Sequence, residues 1–394
     1  MTHRLPFAAV AAAALISACS ANGQSSSPTR ATAENLGSAA AVDAAQAPFT
    51  MTEIADFDDP WAIAFIPESP FALITEQSGK LMLWEQGGEV REVAGVPTVS
   101  SAGQGGLGDV ILHPDFANNR FVYLSWVEEG AEENGGGKGA AVGRARLSDD
   151  MSRLEGVQTI WRQEPFVSGN GHFGHRLAFG PDGMLHISSG DRQKFDPAQD
   201  MDSNLGKILR LTDAGGIPSD NPFYDQGRVR AQIWSLGHRN PLGIAFDGEG
   251  RLWELEMGPA GGDELNLIAR SGNYGYPRVS NGNHYDGRDI PDHAAGDGFV
   301  EPKLWWNPAI SPSALMIYSG SAFPAWQGDA FIAALGGTGL IRVDLDGESA
   351  RGGDRWNLGF RVRAVRQGND GAIWVLEDGG SQGEGRLYRI APKG

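Results

Sequence analysis

Residues 175–191, HRLAFGPDGMLHISSGD, contain two short apolar segments joined by a Pro-Asp-Gly turn. Such a pattern is typical of an antiparallel β-hairpin. This sequence pattern, often followed by a Gly-rich turn and a third apolar segment, recurs at a spacing of roughly 45 to 70 residues. That spacing is the size of one four-stranded propeller blade with variable loops. Copies of the pattern begin at Pro60, Gly105, His175, Asn240, Ser313 and Val362.

Six copies predict an all-β fold, a six-bladed β-propeller of four-stranded antiparallel blades. One blade is too small to hold a core alone, so the blades must pack around a common axis. The composition agrees, because 56 Gly, 22 Pro and 11 Trp in 394 residues favour short strands and tight turns over long helices. A β-sandwich or jelly roll is the alternative. A propeller binds its ligands in the loops around the central channel.

The charge of the chain narrows the classes of function. The net charge of −17 argues against a nucleic-acid partner, since no basic excess is present to displace counterions from phosphates. An acidic protein also suits a hard cation such as calcium. No GxGxxG segment joins a strand to a helix, which argues against a nicotinamide or flavin dehydrogenase. The sequence also has no GxSxG nucleophile elbow.

The N-terminal segment predicts export. Residues 1–18 combine two early basic side chains with an apolar run and small residues, as a signal peptide does. LISAC at 15–19 resembles a bacterial lipobox, so Cys19 is the predicted lipidation site, with an ordinary secretory signal as the alternative. The polar residues 19–47 are predicted to be a flexible tether. We therefore expect residues 48–394 to form one propeller on the periplasmic side of a bacterial membrane, with Ser20 favouring the outer membrane.

The insertions between the copies hold the distinctive motifs. They are GHFGHR at 171–176, GHRNP at 237–241, MGPAGGDELN at 257–266 and SGNYGYP at 271–277. Together with GQGGLGDVILHPDF at 103–116 and QDMDSNLGKILRL at 199–211, they resemble in order and spacing the glucose/sorbosone dehydrogenase family. That family includes the soluble aldose dehydrogenases that depend on pyrroloquinoline quinone (PQQ). The resemblance covers nearly everything from Pro60 to Ile390.

The resemblance implies an enzyme that oxidises aldose sugars at C1 to lactones. PQQ would accept the hydride, Ca²⁺ would polarise the quinone, and electrons would pass to an external acceptor. His172 stands where the family has its catalytic base, and histidine suits that role because its ordinary pKa is near ~6.5. A hydrogen-bonded structural histidine is the alternative. His175 replaces a residue that is usually small, and forms either a second polar wall of the pocket or a structural contact.

The cofactor and metal residues follow from the same resemblance. PQQ carries three carboxylates, and the planar guanidinium group of arginine binds a carboxylate through two parallel hydrogen bonds. The predicted PQQ contacts are Gln104, Arg239, Asn240, Tyr285, Arg361 and Arg363, and for each of them a surface salt bridge or other structural contact is the alternative. The resemblance places one calcium ion on the main-chain oxygens of Gly258 and Pro259. It places a second, structural ion on Glu264 and the carbonyl of Tyr274, with help from Asp263.

Three positions depart from the family pattern. Met257 replaces the usual Gln or His, Leu242 stands where a glutamine often follows GHRNP, and Gly336 stands where a cofactor-binding lysine is common. Two other functions stay open, and the three changes favour only the second of them. One is a calcium-dependent propeller lactonase or other hydrolase. The other is a non-catalytic cell-surface binding propeller that has lost PQQ.

Overall fold

The computed structural model describes residues 33–131, 136–380 and 383–394. Within these residues the chain forms six sheets, each built on four antiparallel strands, and two of the sheets have a fifth, parallel strand at one edge. Each predicted copy supplies the first strand of one sheet. The predicted six-bladed β-propeller is confirmed, and the sandwich alternative is wrong.

The strands divide evenly among the blades. The N-terminal part of the described chain provides β1 (Glu34–Asn35), β2 (Val42–Asp43) and β3 (Phe49–Asp58). Blade 1 contains β4 (Pro60–Phe65), β5 (Phe71–Glu76), β6 (Lys80–Glu85) and β7 (Val90–Val93). Blade 2 contains β8 (Leu107–Leu112), β9 (Phe121–Glu129), β10 (Lys138–Leu147) and β11 (Leu154–Arg162). Blade 3 contains β12 (Gly174–Phe179), β13 (Leu185–Ser189), β14 (Lys207–Leu211) and β15 (Ile233–Leu236).

The other three blades follow the same plan. Blade 4 contains β16 (Pro241–Phe246), β17 (Leu252–Glu256), β18 (Asp263–Leu267) and β19 (Leu304–Trp306). Blade 5 contains β20 (Pro312–Ile317), β21 (Ala330–Ala334), β22 (Gly339–Asp346) and β23 (Ser349–Asn357). Blade 6 contains β24 (Val362–Gln367), β25 (Ile373–Glu377), β26 (Glu384–Pro392) and β3. Helical segments of the described chain are α1 (Phe116–Asn119) and 3-10 turns at Ala44–Gln46, Asp196–Gln199, Tyr224–Gln226, Arg230–Gln232 and Pro324–Trp326.

The ring closes through its first and last strands. The innermost strands β4, β8, β12, β16, β20 and β24 contact one another in turn, and β24 contacts β4. The N-terminal β3 pairs antiparallel with the C-terminal β26, from Phe49 opposite Pro392 to Asp58 opposite Glu384. Because one blade combines both ends of the domain, backbone hydrogen bonds hold the ring shut.

The hydrophobic core lies between blades rather than inside them. Six clusters of buried side chains each combine residues of two neighbouring blades, and the cluster between blades 1 and 2 also includes Leu242 of blade 4. The largest fully buried side chains include five tryptophans, which are Trp126, Trp253, Trp306, Trp356 and Trp374. Each of these clusters therefore forms only when two blades pack side by side, as the repeat pattern predicts.

The N-terminal boundary differs from the expected one. The sequence placed residues 33–47 in the tether, but β1 pairs in parallel with β19 and β2 pairs in parallel with β23. The side chain of Asn35 donates to the carbonyl of Asn307 at 3.2 Å, and Ala47 is buried. The compact unit thus begins at Ala33. Short polar side chains attach this segment to outer strands by hydrogen bonds, which an apolar pattern does not reveal.

The predicted signal peptide, residues 1–18, and the lipidation site Cys19 lie outside the described residues. No helix in the described part of the chain has the length and apolarity that a membrane span requires.

Candidate active site

A cavity of about 250 Å³ lies where the six blades converge. Every blade contributes at least one lining residue at or just before its innermost strand. These residues are Trp61, Gln104, His175, Asn240, Ser311 and Arg361. The cavity therefore occupies one end of the propeller axis, as predicted for the functional face.

His172 precedes β12 next to two lining residues, Phe173 and Gly174. Its backbone N–H donates to Oε1 of Gln104 at 2.7 Å, and its Nδ1 lies 2.6 Å from Oδ1 of the buried Asp191. A carboxylate can only accept, so the ring proton stays on Nδ1. Nε2 has no hydrogen bond from the described residues. The imidazole is thus held in the tautomer that a base requires.

The surroundings of His172 keep it neutral. Burial lowers the pKa of His172 below its ordinary value, and the nearby Arg239 and Arg192 act in the same direction. The hydrogen bond to Asp191 opposes this shift without cancelling it. At neutral pH the imidazole is therefore unprotonated and able to take a proton.

Asp191 is a site residue that the sequence analysis missed. Its Oδ1 also accepts from the backbone N–H of Gln193 at 3.0 Å, and its Oδ2 accepts from that of Phe195 at 3.3 Å. The signal was present, since Asp191 ends the quoted hairpin phrase. Because β12 and β13 pair antiparallel, the end of that phrase lies beside its start and therefore beside His172.

His175 combines both roles that were considered for it. It lines the cavity, and its Nδ1 lies 2.9 Å from Oγ of Ser125. Its ring stacks on Trp61 with centroids 5.0 Å apart. Burial lowers the pKa of His175 to about 3, with help from the adjacent Arg176. His175 is therefore a fixed, neutral part of the cavity wall.

The predicted arginine pair belongs to blade 6, which is opposite blade 3 and its histidines in the ring of six blades. Arg361 and Arg363 both line the cavity and both bind Asp378, which the sequence analysis missed. Nε of Arg361 lies 2.6 Å from Oδ2, and Nη2 of Arg363 lies 2.6 Å from Oδ1. Burial alone would raise the pKa of Asp378, but the two arginines outweigh it and lower that pKa. Two guanidinium groups share the Asp378 carboxylate, which leaves further N–H donors of the pair for an anionic ligand.

The remaining predicted cofactor residues divide between two neighbouring cavities. Gln104 and Asn240 line the cavity described above, and Oδ1 of Asn240 is buried without a hydrogen bond from the described chain. Arg239, Pro259 and Tyr285 instead line a second cavity of about 190 Å³. Nη2 of Arg239 lies 3.5 Å from the Tyr285 hydroxyl. The structure thus brings Arg239 together with Tyr285, apart from the cavity that contains Arg361 and Arg363.

The guanidinium of Arg239 occupies part of the calcium site that was predicted beside the quinone. Nη1 of Arg239 donates to the carbonyl oxygens of Met257 at 2.9 Å and of Gly258 at 2.5 Å. The Gly258 oxygen therefore points at a position that favours positive charge, as calcium binding requires. A calcium ion on this oxygen would have to displace the guanidinium.

The predicted structural calcium residues Asp263, Glu264 and Tyr274 are buried, and the two carboxylates differ in their partners. Asp263 accepts three backbone N–H groups, from Gly258 at 2.9 Å, Ile310 at 2.7 Å and Ser311 at 2.8 Å. Through these hydrogen bonds the Asp263 carboxylate joins the loop that contains Gly258 to the loop that contains Ile310 and Ser311. Glu264 is free of backbone donors, and its Oε1 lies 3.9 Å from Nε2 of His293. Burial raises the pKa of Glu264 to about 8.

Two buried carboxylates beside Glu264 were also missed. Glu254 and Glu256 lie on β17, and Glu256 pairs with Glu264 across the ladder. Asn266 donates from Nδ2 to Oε2 of Glu254 at 3.0 Å. Burial raises the pKa of Glu254 and of Glu256 well above the ordinary range of a carboxyl. The residue Tyr274, predicted to offer its carbonyl, stacks its ring on His238 with centroids 4.7 Å apart.

Two of the three departures from the family pattern face the cavity. Leu242 and Met257 line it, whereas Gly336 does not and its neighbour Leu335 does. A Cβ atom added at Gly336 would lie 3.0 Å from the carbonyl oxygen of Ile310, so a larger residue would need that loop to shift. One wall of the cavity is therefore apolar.

Known proteins resemble this chain over most of its length. The sequence model of the family described as Glucose / Sorbosone dehydrogenase matches residues 57–389. The chain is 41% identical over 343 residues to the aldose sugar dehydrogenase YliI of Escherichia coli (strain K12), covering 85% of this chain and 91% of that protein.

Two solved structures extend the comparison. The soluble aldose sugar dehydrogenase of Escherichia coli in its apo form superposes with a TM-score of 0.83 at 40% identity, covering 88% of this chain and 100% of that one. The PQQ-bound aldose sugar dehydrogenase of Streptomyces coelicolor superposes with a TM-score of 0.71 at 26% identity, covering 88% of this chain and 98% of that one.

Proposed function

The chain belongs to the glucose/sorbosone dehydrogenase family, and from this premise we propose that it is a PQQ-dependent sugar dehydrogenase that oxidises aldoses at C1 to lactones. The observation that carries the proposal is the His172–Asp191 pair beside a cavity that also presents Arg361 and Arg363. His172 does not itself line the cavity but directly precedes two residues that do, and a base next to an anion-binding cavity is what hydride transfer from a sugar to an anionic quinone requires.

The residues present fit PQQ. The arginine pair of blade 6 offers guanidinium groups to carboxylates of the cofactor, and Asp378 holds the pair in place. The side chain of Asn240 has an unpaired buried oxygen at the same cavity, a polar group that a ligand could satisfy. Arg239 and Tyr285 extend this polar surface into the second cavity.

The chain's own residues account for the proton transfer. When bound, PQQ supplies a quinone that accepts the hydride from C1, and Ca²⁺ supplies Lewis-acid polarisation of that quinone. Nε2 of His172 takes the proton of the C1 hydroxyl as the C1–H bond breaks, so the sugar loses one proton and one hydride and becomes the lactone. Asp191 keeps the imidazole in the correct tautomer and stabilises the imidazolium that forms. Electrons then leave to an external acceptor, for which we propose a quinone or a cytochrome.

We propose that calcium binds beside the cofactor on the main-chain oxygens of Gly258 and Pro259. The Gly258 oxygen now accepts from the guanidinium of Arg239, so calcium at this position would replace that contact. We propose the second calcium at Glu264 and the carbonyl of Tyr274. Asp263 contributes by orienting the Gly258 turn through its hydrogen bond to that residue's N–H.

The alternative functions have weaker support. A calcium-dependent lactonase needs carboxylates in its channel, yet no Asp or Glu is among the described residues that line the larger cavity. A binding propeller without cofactor is favoured by the apolar side chains of Leu242 and Met257 at that cavity. A PQQ titration separates it from the enzyme, since a binding module would leave the quinone spectrum unchanged.

We also propose that the chain is exported and anchored through Cys19 to a bacterial membrane on its periplasmic side. The lipobox-like residues 15–19 support this proposal. Metabolic labelling with a radioactive fatty acid tests it, because the full chain should incorporate label and Cys19→Ser should not. Equal labelling of both proteins would contradict the anchor.

The central experiment reconstitutes residues 33–394 with Ca²⁺ and PQQ, adds an aldose and follows the quinone absorbance. We expect PQQ to bind and the sugar to reduce it. Binding without reduction by any aldose would contradict the substrate class. A spectrum that does not change on adding the protein would contradict the cofactor.

A further inference from the structure

His238, Glu254 and Glu256 place three metal-ligating side chains within one buried cluster. Their ligand atoms all lie within 4.8 Å of one another, and no other group of His, Cys, Asp or Glu in the described part of the chain converges in this way. Nδ1 of His238 lies 3.9 Å from Oε2 of Glu254 and 4.0 Å from Oε1 of Glu256. All three side chains are at most 4% exposed, so water does not solvate their charges.

The cluster contains polar atoms that nothing in the described chain satisfies. Nδ1 of His238 and Oε1 of Glu254 are buried and have no hydrogen-bond partner, and the same holds for Oδ1 of the neighbouring Asn266. Buried polar atoms are almost always paired, so three unpaired polar atoms on neighbouring buried side chains in and beside one cluster indicate a missing partner. Carboxylate oxygens, amide oxygens and an unprotonated imidazole nitrogen all have lone pairs, so a cation is the partner that would satisfy them.

Two contacts fix the orientation of the His238 ring, as is usual for a histidine that binds a metal. Its Nε2 lies 2.8 Å from Oγ of Ser235, and its face stacks on Tyr274. Fixing one ring nitrogen by a hydrogen bond orients the other, which is the usual outer contact of a metal-bound histidine. Here that contact directs Nδ1 at the two carboxylates.

Both glutamates are also positioned by the fold. Glu254 and Glu256 are two residues apart on β17, so their side chains leave the same face of the strand. Oε2 of Glu256 accepts the backbone N–H of Arg239 at 2.6 Å, which leaves Oε1 for the cluster. Glu264 is opposite Glu256 in the ladder and adds a third carboxylate beside the cluster.

Within the part of the chain that the structure describes, no lysine or arginine side chain forms an ion pair with these carboxylates. The guanidinium of Arg239 turns to the carbonyls of Met257 and Gly258. The ammonium of Lys207 donates to three carbonyls, those of Pro197, Ala198 and Leu205. Adjacent buried carboxylates repel each other strongly in a low-dielectric interior, and a bound cation removes that repulsion.

We propose that His238, Glu254 and Glu256 bind a divalent first-row transition metal of the zinc class, through side chains that differ from the ligands of the calcium positions proposed above. The donor set decides the class, because an imidazole nitrogen with two carboxylates suits zinc and its neighbours, whereas calcium prefers ligands that are all oxygen. The metal would tie β17 to the loop that carries Arg239 and Asn240. Its role is therefore to hold the cofactor-binding GHRNP loop.

The test titrates the purified full chain with Co²⁺ in the presence of excess Ca²⁺ and without PQQ. We expect one equivalent of Co²⁺ to bind and to give the visible absorption of a low-symmetry nitrogen–oxygen site. Zn²⁺ should then displace it. Glu254→Gln and His238→Gln should each weaken Co²⁺ binding by at least about 10- to 100-fold, the loss that even outer contacts of a metal site cause.

Two buried residues elsewhere provide matched controls. Glu76 has an unpaired Oε2 and His186 an unpaired Nδ1, and neither belongs to the cluster. Glu76→Gln and His186→Gln should therefore leave Co²⁺ affinity unchanged.

Three results would overturn the proposal: a wild-type chain that binds no Co²⁺ or Zn²⁺, binding that Ca²⁺ abolishes by competition, or equal affinity in His238→Gln. The wild-type titration decides the question even if the variants misfold. Because PQQ is absent, failure of the sugar dehydrogenase proposal leaves this result unaffected.

Discussion

Nδ1 of His172 lies 2.6 Å from Oδ1 of Asp191, and both side chains are buried. His172 precedes β12 and Asp191 follows β13, so the antiparallel pairing of these strands sets the distance between them. The same backbone arrangement places Phe173 and Gly174 in the cavity wall. The geometry of the proposed base therefore depends on one hairpin of blade 3 rather than on a mobile loop.

Replacing His172 by alanine should lower kcat for PQQ-dependent aldose oxidation by about 10²- to 10⁴-fold, the usual contribution of a general base. PQQ affinity should change little, because the arginines remain. Stopped-flow reduction of bound PQQ measures the first effect, and PQQ titration measures the second. His113→Gln, in the turn after β8, is the control and should keep its kcat. Full turnover in His172→Ala would remove this residue from the mechanism.

The pH profile should report the neutral state of His172. Burial lowers its pKa below about 6.5, so the acid limb of kcat/KM should have its midpoint below that pH and activity should be lost only as the pH falls through it. Asp191 raises this pKa, and Asp191→Asn should therefore move the limb to still lower pH while reducing the plateau. An acid limb that moves to higher pH in the variant would contradict the assignment.

Arg363→Leu should weaken PQQ binding by about 10- to 150-fold, since a hydrogen bond to a charged group contributes about 1.5–3 kcal/mol. Equilibrium titration of PQQ absorbance measures the loss. Arg389→Leu is the matched control, because Arg389 is in the same blade and binds Asp370 at 2.6 Å away from the cavity. Similar affinities for both variants would mean that the blade 6 pair does not contact the cofactor.

The fold could be predicted because its signal is local and repeated. Each hairpin phrase contains its own strands and turn, so the copies that begin at Pro60 and Val362 match the start of β4 and β24. Closure by β3 and the pairing of residues 33–47 could not be predicted this way. Both depend on contacts between the two ends of the chain or on short polar segments, which have no periodic pattern.

The candidate site was predictable only where a motif marked it. Arg361 and Arg363 were predicted and do line the cavity, but Asp378, their shared partner, was missed because the three meet only when β24 pairs with β25. Glu254 and Glu256 were missed for a related reason. Their sequence, WELE, has the alternation of an ordinary strand, and only burial shows that both carboxylates face the interior.

The apolar wall of the cavity gives a prediction about affinity. Met257→Gln places an amide where the side chain of Met257 now lines the cavity, and a new hydrogen bond of about 0.5–1.5 kcal/mol should tighten PQQ binding by about 2- to 10-fold. Titration of PQQ measures the change. Met82→Gln, in blade 1 and away from this cavity, should have no effect. Weaker PQQ binding in Met257→Gln would contradict this prediction and would show that the Met257 side chain itself packs against the cofactor.

A buried ion network joins the innermost strands of the blades. Oδ1 of Asp109 lies 3.4 Å from Nη1 of Arg176 and 3.4 Å from Nη2 of Arg366. Arg176 lies 3.7 Å from the ring centroid of Trp61 and donates to the carbonyl of Ser313 at 2.5 Å. It also donates to a carbonyl of blade 4 at 2.9 Å, so the network contacts all six blades.

Asp109→Ala should therefore lower the free energy of unfolding by about 3–5 kcal/mol, because it leaves a buried guanidinium without its counter-charge. Chemical denaturation measures the loss. Asp202→Ala breaks an exposed pair, Arg230–Asp202 at 2.7 Å, and should cost at most about 1 kcal/mol. Equal losses in the two variants would mean that the network adds no more than a surface pair. A much larger loss in Asp109→Ala would establish that the blades depend on one charge at their common axis.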